Sequence, residues 1–158
     1  LKNLRTLHIR MQQHSKNGLF LAEKFEADGL KTVYPGLKSH PSHNLFKSMM
    51  NVQYGFGGML TIDVGSLEKA NELMELMQNK NLGYLAVSLG FYKTLFSAPG
   101  SSTSSEIPED EQREMGLSDG LIRFSIGLDA DIERTYETMR KCMEELNILK
   151  RKKDLQII

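Results

Sequence analysis

The sequence predicts an α+β domain, a two-layer sandwich in which helices cover a mostly antiparallel sheet. Three observations carry that expectation. Period-two alternation of apolar and polar side chains recurs in short segments, over residues 59–64, 84–89 and 121–126, as in strands with one buried face. Longer segments repeat small or apolar residues at three- and four-residue steps, as amphipathic helices do. The two patterns interleave, and several strand pairs are too close in sequence for parallel crossovers.

Length and composition bound the rest. A chain of 158 residues suits one domain. Twenty basic and twenty acidic side chains cancel to a formal charge of zero, whereas a nucleic-acid binder would carry a basic excess. With 40% hydrophobic and 25% charged residues the composition is that of a globular fold. No apolar run approaches the ~18 residues of a membrane span. A single cysteine, Cys142, cannot form an internal disulfide. The zero charge averages over an uneven distribution. No acid precedes Glu23, residues 106–114 are mostly acidic, and Lys150, Arg151, Lys152 and Lys153 end the chain on a basic tail. An acid-free amphipathic start is also a feature of transit peptides, but here the helical pattern runs on without a cleavage-like break. Leu1 is neither methionine nor preceded by a cap, so the chain reads as a piece of something larger.

The elements follow in order. Leu4, Leu7, Met11, Ser15, Gly18, Ala22 and Phe25 predict one long helix to Asp28, closed by Gly29. Thr32, Val33 and Tyr34 form a short strand ended by the Pro35-Gly36 turn, and a short helix follows over 44–50. The strand at 59–64 turns Leu60, Ile62 and Val64 to one face. Ser66 caps the next helix, whose buried stripe is Leu67, Ala70, Leu73, Met74 and Met77. The alternation at 84–89 sets Leu85, Val87 and Leu89 opposite Tyr84, Ala86 and Ser88. A further short strand runs through Leu95 and Phe96, and residues 97–105, rich in serine and glycine, form a loop. Pro108 and the acids after it suit the first turn of a helix that Gly116 closes. The strand at 121–126 turns Ile122, Phe124 and Ile126 to one face. Ile132, Tyr136, Met139, Met143 and Leu146 form the stripe of the last helix. Residues 1–149 make up the domain and 150–158 the basic tail.

Few residues suggest chemistry. His40 and His43 lack the further ligands a zinc site needs, and suit a helix entry better. His8 and His14 do not share a helix face. Gly55-Phe56-Gly57-Gly58 leads into a strand, whereas a phosphate cradle leads into a helix. Cys142 and the nine methionines read as core filler. Arg123 differs: it lies mid-strand between apolar neighbours, where a guanidinium needs an anionic partner. That partner is either a structural acid or a ligand. The loop at 97–105 is of the kind that shapes a site or remains a plain surface loop.

Val87-Ser88-Leu89-Gly90, then Pro99 and Thr103, then Asp119-Gly120-Leu121-Ile122-Arg123-Phe124-Ser125-Ile126-Gly127 resemble the C-terminal domain of the Cys/Met-metabolism PLP enzymes. That family includes methionine γ-lyase, cystathionine γ-lyase and cystathionine γ-synthase. Arg5-Thr6-Leu7 with Arg10 and His14, Tyr34-Pro35-Gly36-Leu37 with His40-Pro41, and Gly55-Phe56-Gly57-Gly58 extend the resemblance to about Leu146. It implies the small C-terminal domain of a fold-type I enzyme, with the substrate α-carboxylate held at the positions of Arg123 and Ser88. Thr103 matches a threonine of the pocket loop. The resemblance also implies pyridoxal 5'-phosphate in the full-length enzyme and none on this fragment, since no lysine here has the Schiff-base setting and no catalytic residue is expected on it. It further implies an N-terminal PLP domain as partner, faced by the acid-free helix. A homotetramer, an amino acid substrate and a cytoplasmic location complete the expectation, with no metal, nucleic acid or membrane. Phe91-Tyr92 stands where many members have a glycine pair, and Thr103 is followed by Ser104 where some have histidine. Missing the glycine pair leans the reading toward a methionine γ-lyase-like α,γ-elimination. Cystathionine γ-synthase, cystathionine γ-lyase or a non-catalytic interaction module are the alternatives.

Overall fold

The computed structural model describes residues 2–100 and 106–150. The elements run α1 (Lys2–Arg5), α2 (Leu7–Ala27), β1 (Lys31–Val33), α3 (His43–Met49), β2 (Met59–Asp63), α4 (Leu67–Asn79), β3 (Tyr84–Leu85), β4 (Leu95–Ser97), α5 (Glu109–Glu114), β5 (Leu121–Ser125) and α6 (Ile132–Glu145). The strands form one sheet in the order β1-β2-β5-β4-β3. The pairs β1–β2, β2–β5 and β4–β5 are antiparallel, and β3–β4 is parallel. A mostly antiparallel α+β sandwich is therefore what forms.

The alternation works as physical chemistry requires. Leu60, Ile62, Phe96, Ile122 and Phe124 turn to one face and are buried, where they join Leu21, Phe25, Ala70, Leu73, Met77, Met139 and Met143 in a single core. Helix α2 lies on β1 and β2, α4 on β5 and β3, and α6 against both helices. The Phe25 ring meets those of Phe124 and Tyr136. Ser66 caps α4 by accepting from the Lys69 N–H at 3.3 Å, and Asp131 caps α6 through the Arg134 N–H.

Four expectations are corrected. The first helix is not continuous: Thr6, at φ −106° and ψ 6°, separates α1 from α2. Leu4 and Leu7 of its predicted stripe are exposed, because no core element reaches the start of the helix. Leu67 is also exposed, since it opens α4 before the helix settles on the sheet. The alternation at 84–89 does not build a strand of that length. Only Tyr84 and Leu85 pair, because β4 offers just three residues, and Leu85, Val87 and Leu89 end up exposed.

Candidate functional site

Helices cover one face of the sheet, so the other face is where the odd-numbered residues of β2, β4 and β5 point. Arg123 sits mid-way along β5, the central strand. Its register partners are Thr61 on β2 and Ser97 on β4. Residues directly opposite each other project to the same side, with Cβ atoms about 5 Å apart. The guanidinium therefore rises between two hydroxyl-bearing neighbours on a rigid strand.

Arg123 is half-buried, and among the described residues it has neither an ion-pair nor a hydrogen-bond partner. The acid on the neighbouring strand, Asp63, is already engaged. It accepts from the Ser118 hydroxyl at 2.7 Å and the Gly65 N–H at 2.9 Å, and pairs with Lys31 at 3.8 Å. No acid among the described residues pairs with Arg123. Lys31 and Asp63 pair with each other, and the planar guanidinium of Arg123 has a fork geometry of the kind that suits a carboxylate.

Ser88 is exposed, in the segment that follows β3. Two anchors place that segment: the Ala86 N–H donates to the Phe96 carbonyl at 3.1 Å, and the Gly90 N–H donates to Ser125 Oγ at 3.0 Å. Ser125 lies on the same face as Arg123, two residues along β5. The stretch carrying Ser88 is therefore tied at one end to Phe96 of β4 and at the other to Ser125 of β5. Thr103 lies outside the described residues.

The strand of Arg123 is held tightly at its far end. A Cβ on Gly127 would meet the Tyr92 carbonyl oxygen at 2.5 Å and the Thr94 nitrogen at 2.6 Å. Only a glycine permits that approach, and there the Leu128 N–H donates to Tyr92 O at 2.7 Å and the Gly127 N–H to Thr94 Oγ1 at 3.0 Å. From the helix layer, Asn17 donates to the carbonyls of Gly127 and Asp129. His14 Nδ1 lies 2.6 Å from the Ile126 carbonyl, which can only accept, so Nδ1 carries the proton. Burial lowers the His14 pKa; the bond to Ile126 opposes this and the Arg10 charge adds to it. The imidazole is held neutral, as a strut.

The other motif residues are scaffold too. The Tyr34 hydroxyl donates to the Gly57 carbonyl at 2.7 Å, the Gly57 N–H donates to Ser15 Oγ at 2.9 Å, and Gly18 leaves room for the backbone of Gly57 and Gly58. His43 Nδ1 donates to the Pro35 carbonyl at 2.9 Å, and the Ser42 N–H donates to His40 Nδ1 at 3.1 Å. These histidines are the helix-entry groups expected, and no cluster of three or more metal-ligating side chains occurs among the described residues. Cys142 is buried, which raises its thiol pKa. Sequence reasoning missed Ser97, whose pairing with Arg123 depends on register, and the buried Arg140, which bonds Asp28 at 2.8 Å and Glu144 at 3.2 Å.

A Schiff-base lysine needs a desolvated setting that lowers its pKa. The lysines with described side chains are exposed, except Lys93, which bonds Asn81 and lies over the Tyr84 ring.

The fold defines an α+β sandwich whose central strand carries a guanidinium on the face of the sheet away from α2, α4 and α6. The chain belongs to the family of Cys/Met metabolism PLP-dependent enzymes, whose profile matches residues 1–142. It is 46% identical over 136 residues to methionine gamma-lyase of Arabidopsis thaliana, covering 85% of this chain and 31% of that protein. Cystathionine gamma-lyase of Bos taurus is 39% identical over 131 residues, covering 81% and 31%. Among solved structures, cystathionine gamma-lyase from yeast superposes with a TM-score of 0.83 at 29% identity, covering 92% of this chain and 37% of that one. A Campylobacter jejuni protein described as an O-acetylhomoserine (thiol)-lyase, solved with a pyridoxyl-lysine phosphate, gives 0.81 at 30% identity, covering 90% and 33%. The chain thus spans about a third of the length of these relatives. No helix among the described residues is long and apolar enough to cross a membrane.

Proposed function

We propose that this chain is the C-terminal, substrate-carboxylate-binding domain of a PLP-dependent lyase acting on sulfur amino acids, most like methionine γ-lyase. The observation that carries the reading is Arg123: a half-buried guanidinium on a central strand, unpaired among the described residues. In this role Arg123 grips the α-carboxylate in a two-pronged contact and fixes the orientation of the amino acid. Ser88, in the segment tied to β4 and β5, adds a polar contact to that group, and Thr103 lines the pocket loop. Pyridoxal phosphate, held by the N-terminal domain, supplies the electron sink when bound. This chain contributes positioning and no catalytic residue.

Two further features support a covering domain. Leu4, Leu7 and Ile9 at the acid-free start are exposed, as are Val87, Leu89, Phe91 and Tyr92 in the segment that follows β3. Apolar surface of that kind suits a partner better than water, and the N-terminal PLP domain is the partner proposed. Assembly as a homotetramer and a cytoplasmic location belong to the same reading. The higher identity to methionine gamma-lyase than to cystathionine gamma-lyase supports α,γ-elimination of a methionine-like substrate over cystathionine cleavage.

Arg123→Ala in the protein joined to its PLP domain tests the assignment. Loss of a charge-assisted contact of roughly 1.5–3 kcal/mol lowers kcat/KM for methionine at least about tenfold. Arg123→Lys recovers only part, because an ammonium cannot make the two-pronged contact. Unchanged kcat/KM in Arg123→Ala refutes the reading.

A further inference from the structure

Of the buried side-chain atoms without a partner among the described residues, Arg10 Nε, His14 Nε2 and Arg140 Nε lie on helices and Ser97 Oγ lies on the sheet. Ser97 is 5% exposed, yet its Oγ has no hydrogen-bond partner. A buried hydroxyl without a partner destabilises the fold, and natural proteins rarely keep one without a reason. The neighbouring hydroxyls on these strands are used: Ser125 Oγ accepts from Gly90, and Thr94 Oγ1 from Gly127. Ser97 lies directly opposite Arg123 across the β4–β5 pair, so its side chain rises on the same face about 5 Å away at Cβ. That separation lets one hydroxyl and one guanidinium reach different oxygens of the same small anion. A guanidinium only donates; a serine hydroxyl rotates to donate as well.

We infer that Ser97 is a second binding group for the substrate carboxylate, donating its hydroxyl to the anion that Arg123 grips. This rests on the carboxylate-site reading and adds a residue that neither the family motif nor the sequence pattern singled out. It gives the orphan hydroxyl its partner only when substrate is present. Substrate binding and fold stability therefore respond to Ser97 with opposite signs. Removing the hydroxyl relieves the free protein of an unsatisfied group and deprives the bound carboxylate of a donor.

The test uses the PLP-loaded protein with its complete N-terminal domain and calorimetric titration of two unreactive probes, L-norleucine and L-norleucinamide. They share a side chain and differ in whether the carboxylate is present. Ser97→Ala weakens norleucine binding about tenfold, the loss expected for a hydrogen bond to a charged group. It leaves norleucinamide binding unchanged and the Tm equal to or above that of the unaltered protein. Norleucine affinity unchanged in Ser97→Ala, while Arg123→Ala loses it, overturns the role of Ser97 and leaves the carboxylate site standing. Affinity unchanged in both variants overturns the site itself. A lower Tm in Ser97→Ala, or equal losses for the two probes, marks a structural role and overturns the inference.

Discussion

Asp28→Ala should destabilise the chain by about 3 kcal/mol, most of it through a charge left behind in the core. Asp28 ends α2, and its two carboxylate oxygens serve α6. Oδ1 accepts from Arg140 Nη1 at 2.8 Å, and Oδ2 accepts from the Tyr136 hydroxyl at 2.7 Å. Arg140 is 4% exposed, and breaking a buried pair costs roughly 3–5 kcal/mol. The lower end applies, because Arg140 keeps Glu144 at 3.2 Å and the Lys150 carbonyl at 3.2 Å. The orphaned Tyr136 hydroxyl adds about 1 kcal/mol. Against these, an acid at a helix C-terminus opposes the macrodipole, and removing it returns about 0.5 kcal/mol. Equilibrium urea unfolding of the 158-residue chain, followed by far-UV circular dichroism, measures the difference. A second variant separates charge from packing. Asp28→Ala combined with Arg140→Met removes both ions and fills the Arg140 space with an apolar stem, so it should be more stable than Asp28→Ala alone. A loss under about 1 kcal/mol for Asp28→Ala, or a double variant less stable than the single one, refutes the reasoning.

The remaining predictions concern the end of the Arg123 strand. His14 has a folded pKa below its ordinary 6.5, so the unfolded chain binds a proton more readily. Stability is therefore full above about pH 6.5 and falls as the pH drops toward the folded value. The urea midpoint should decline between about pH 7.5 and pH 5.5, less so in His14→Asn, whose amide replaces the Nδ1–H donor; an identical decline in both would exclude His14 as the source. Gly127→Ala places a methyl 2.5 Å from the Tyr92 carbonyl oxygen. Backbone must move, at a cost of about 1–3 kcal/mol, and a Tm within about a degree of the unaltered chain would contradict the close approach.

Much of the sheet was legible because its signal is local. The alternation at Leu60 and Ile62, or at Ile122 and Phe124, states which face is buried before any partner strand is known. The same signal misled at Leu85, Val87 and Leu89. Alternation reports that one side is apolar, and these side chains are spaced for burial that the described residues do not provide. The continuous helix failed at Thr6 for a related reason: the stripe continues through Leu4 and Leu7, but no element of the core lies beneath them. At the site, Arg123 could be singled out as a charge among apolar neighbours, yet its partner could not. Whether it meets an acid or nothing depends on the register with β2 and β4, which sets Thr61 and Ser97 beside it and directs Asp63 toward Lys31 and Ser118.

Arg123 and Arg140 show how one residue type serves two ends in one small fold. Arg140 is the more buried, and the helices around it supply Asp28, Glu144 and a main-chain carbonyl. Those contacts engage both Nη atoms, leave only Nε without a partner, and hold α2 and α6 together. Arg123 is partly open and receives no such support among the described residues, while hydrogen bonds to His14, Asn17 and Thr94 brace the backbone just beyond its strand. A braced backbone beneath an unsatisfied charge is the arrangement expected of a binding group, because rigidity removes the entropy cost of holding the fork in place. The unused Ser97 hydroxyl beside it repeats the pattern. Arg123 and Ser97 face each other across one strand pair on the side of the sheet away from the helices, and that juxtaposition carries the proposed site more sharply than any single motif.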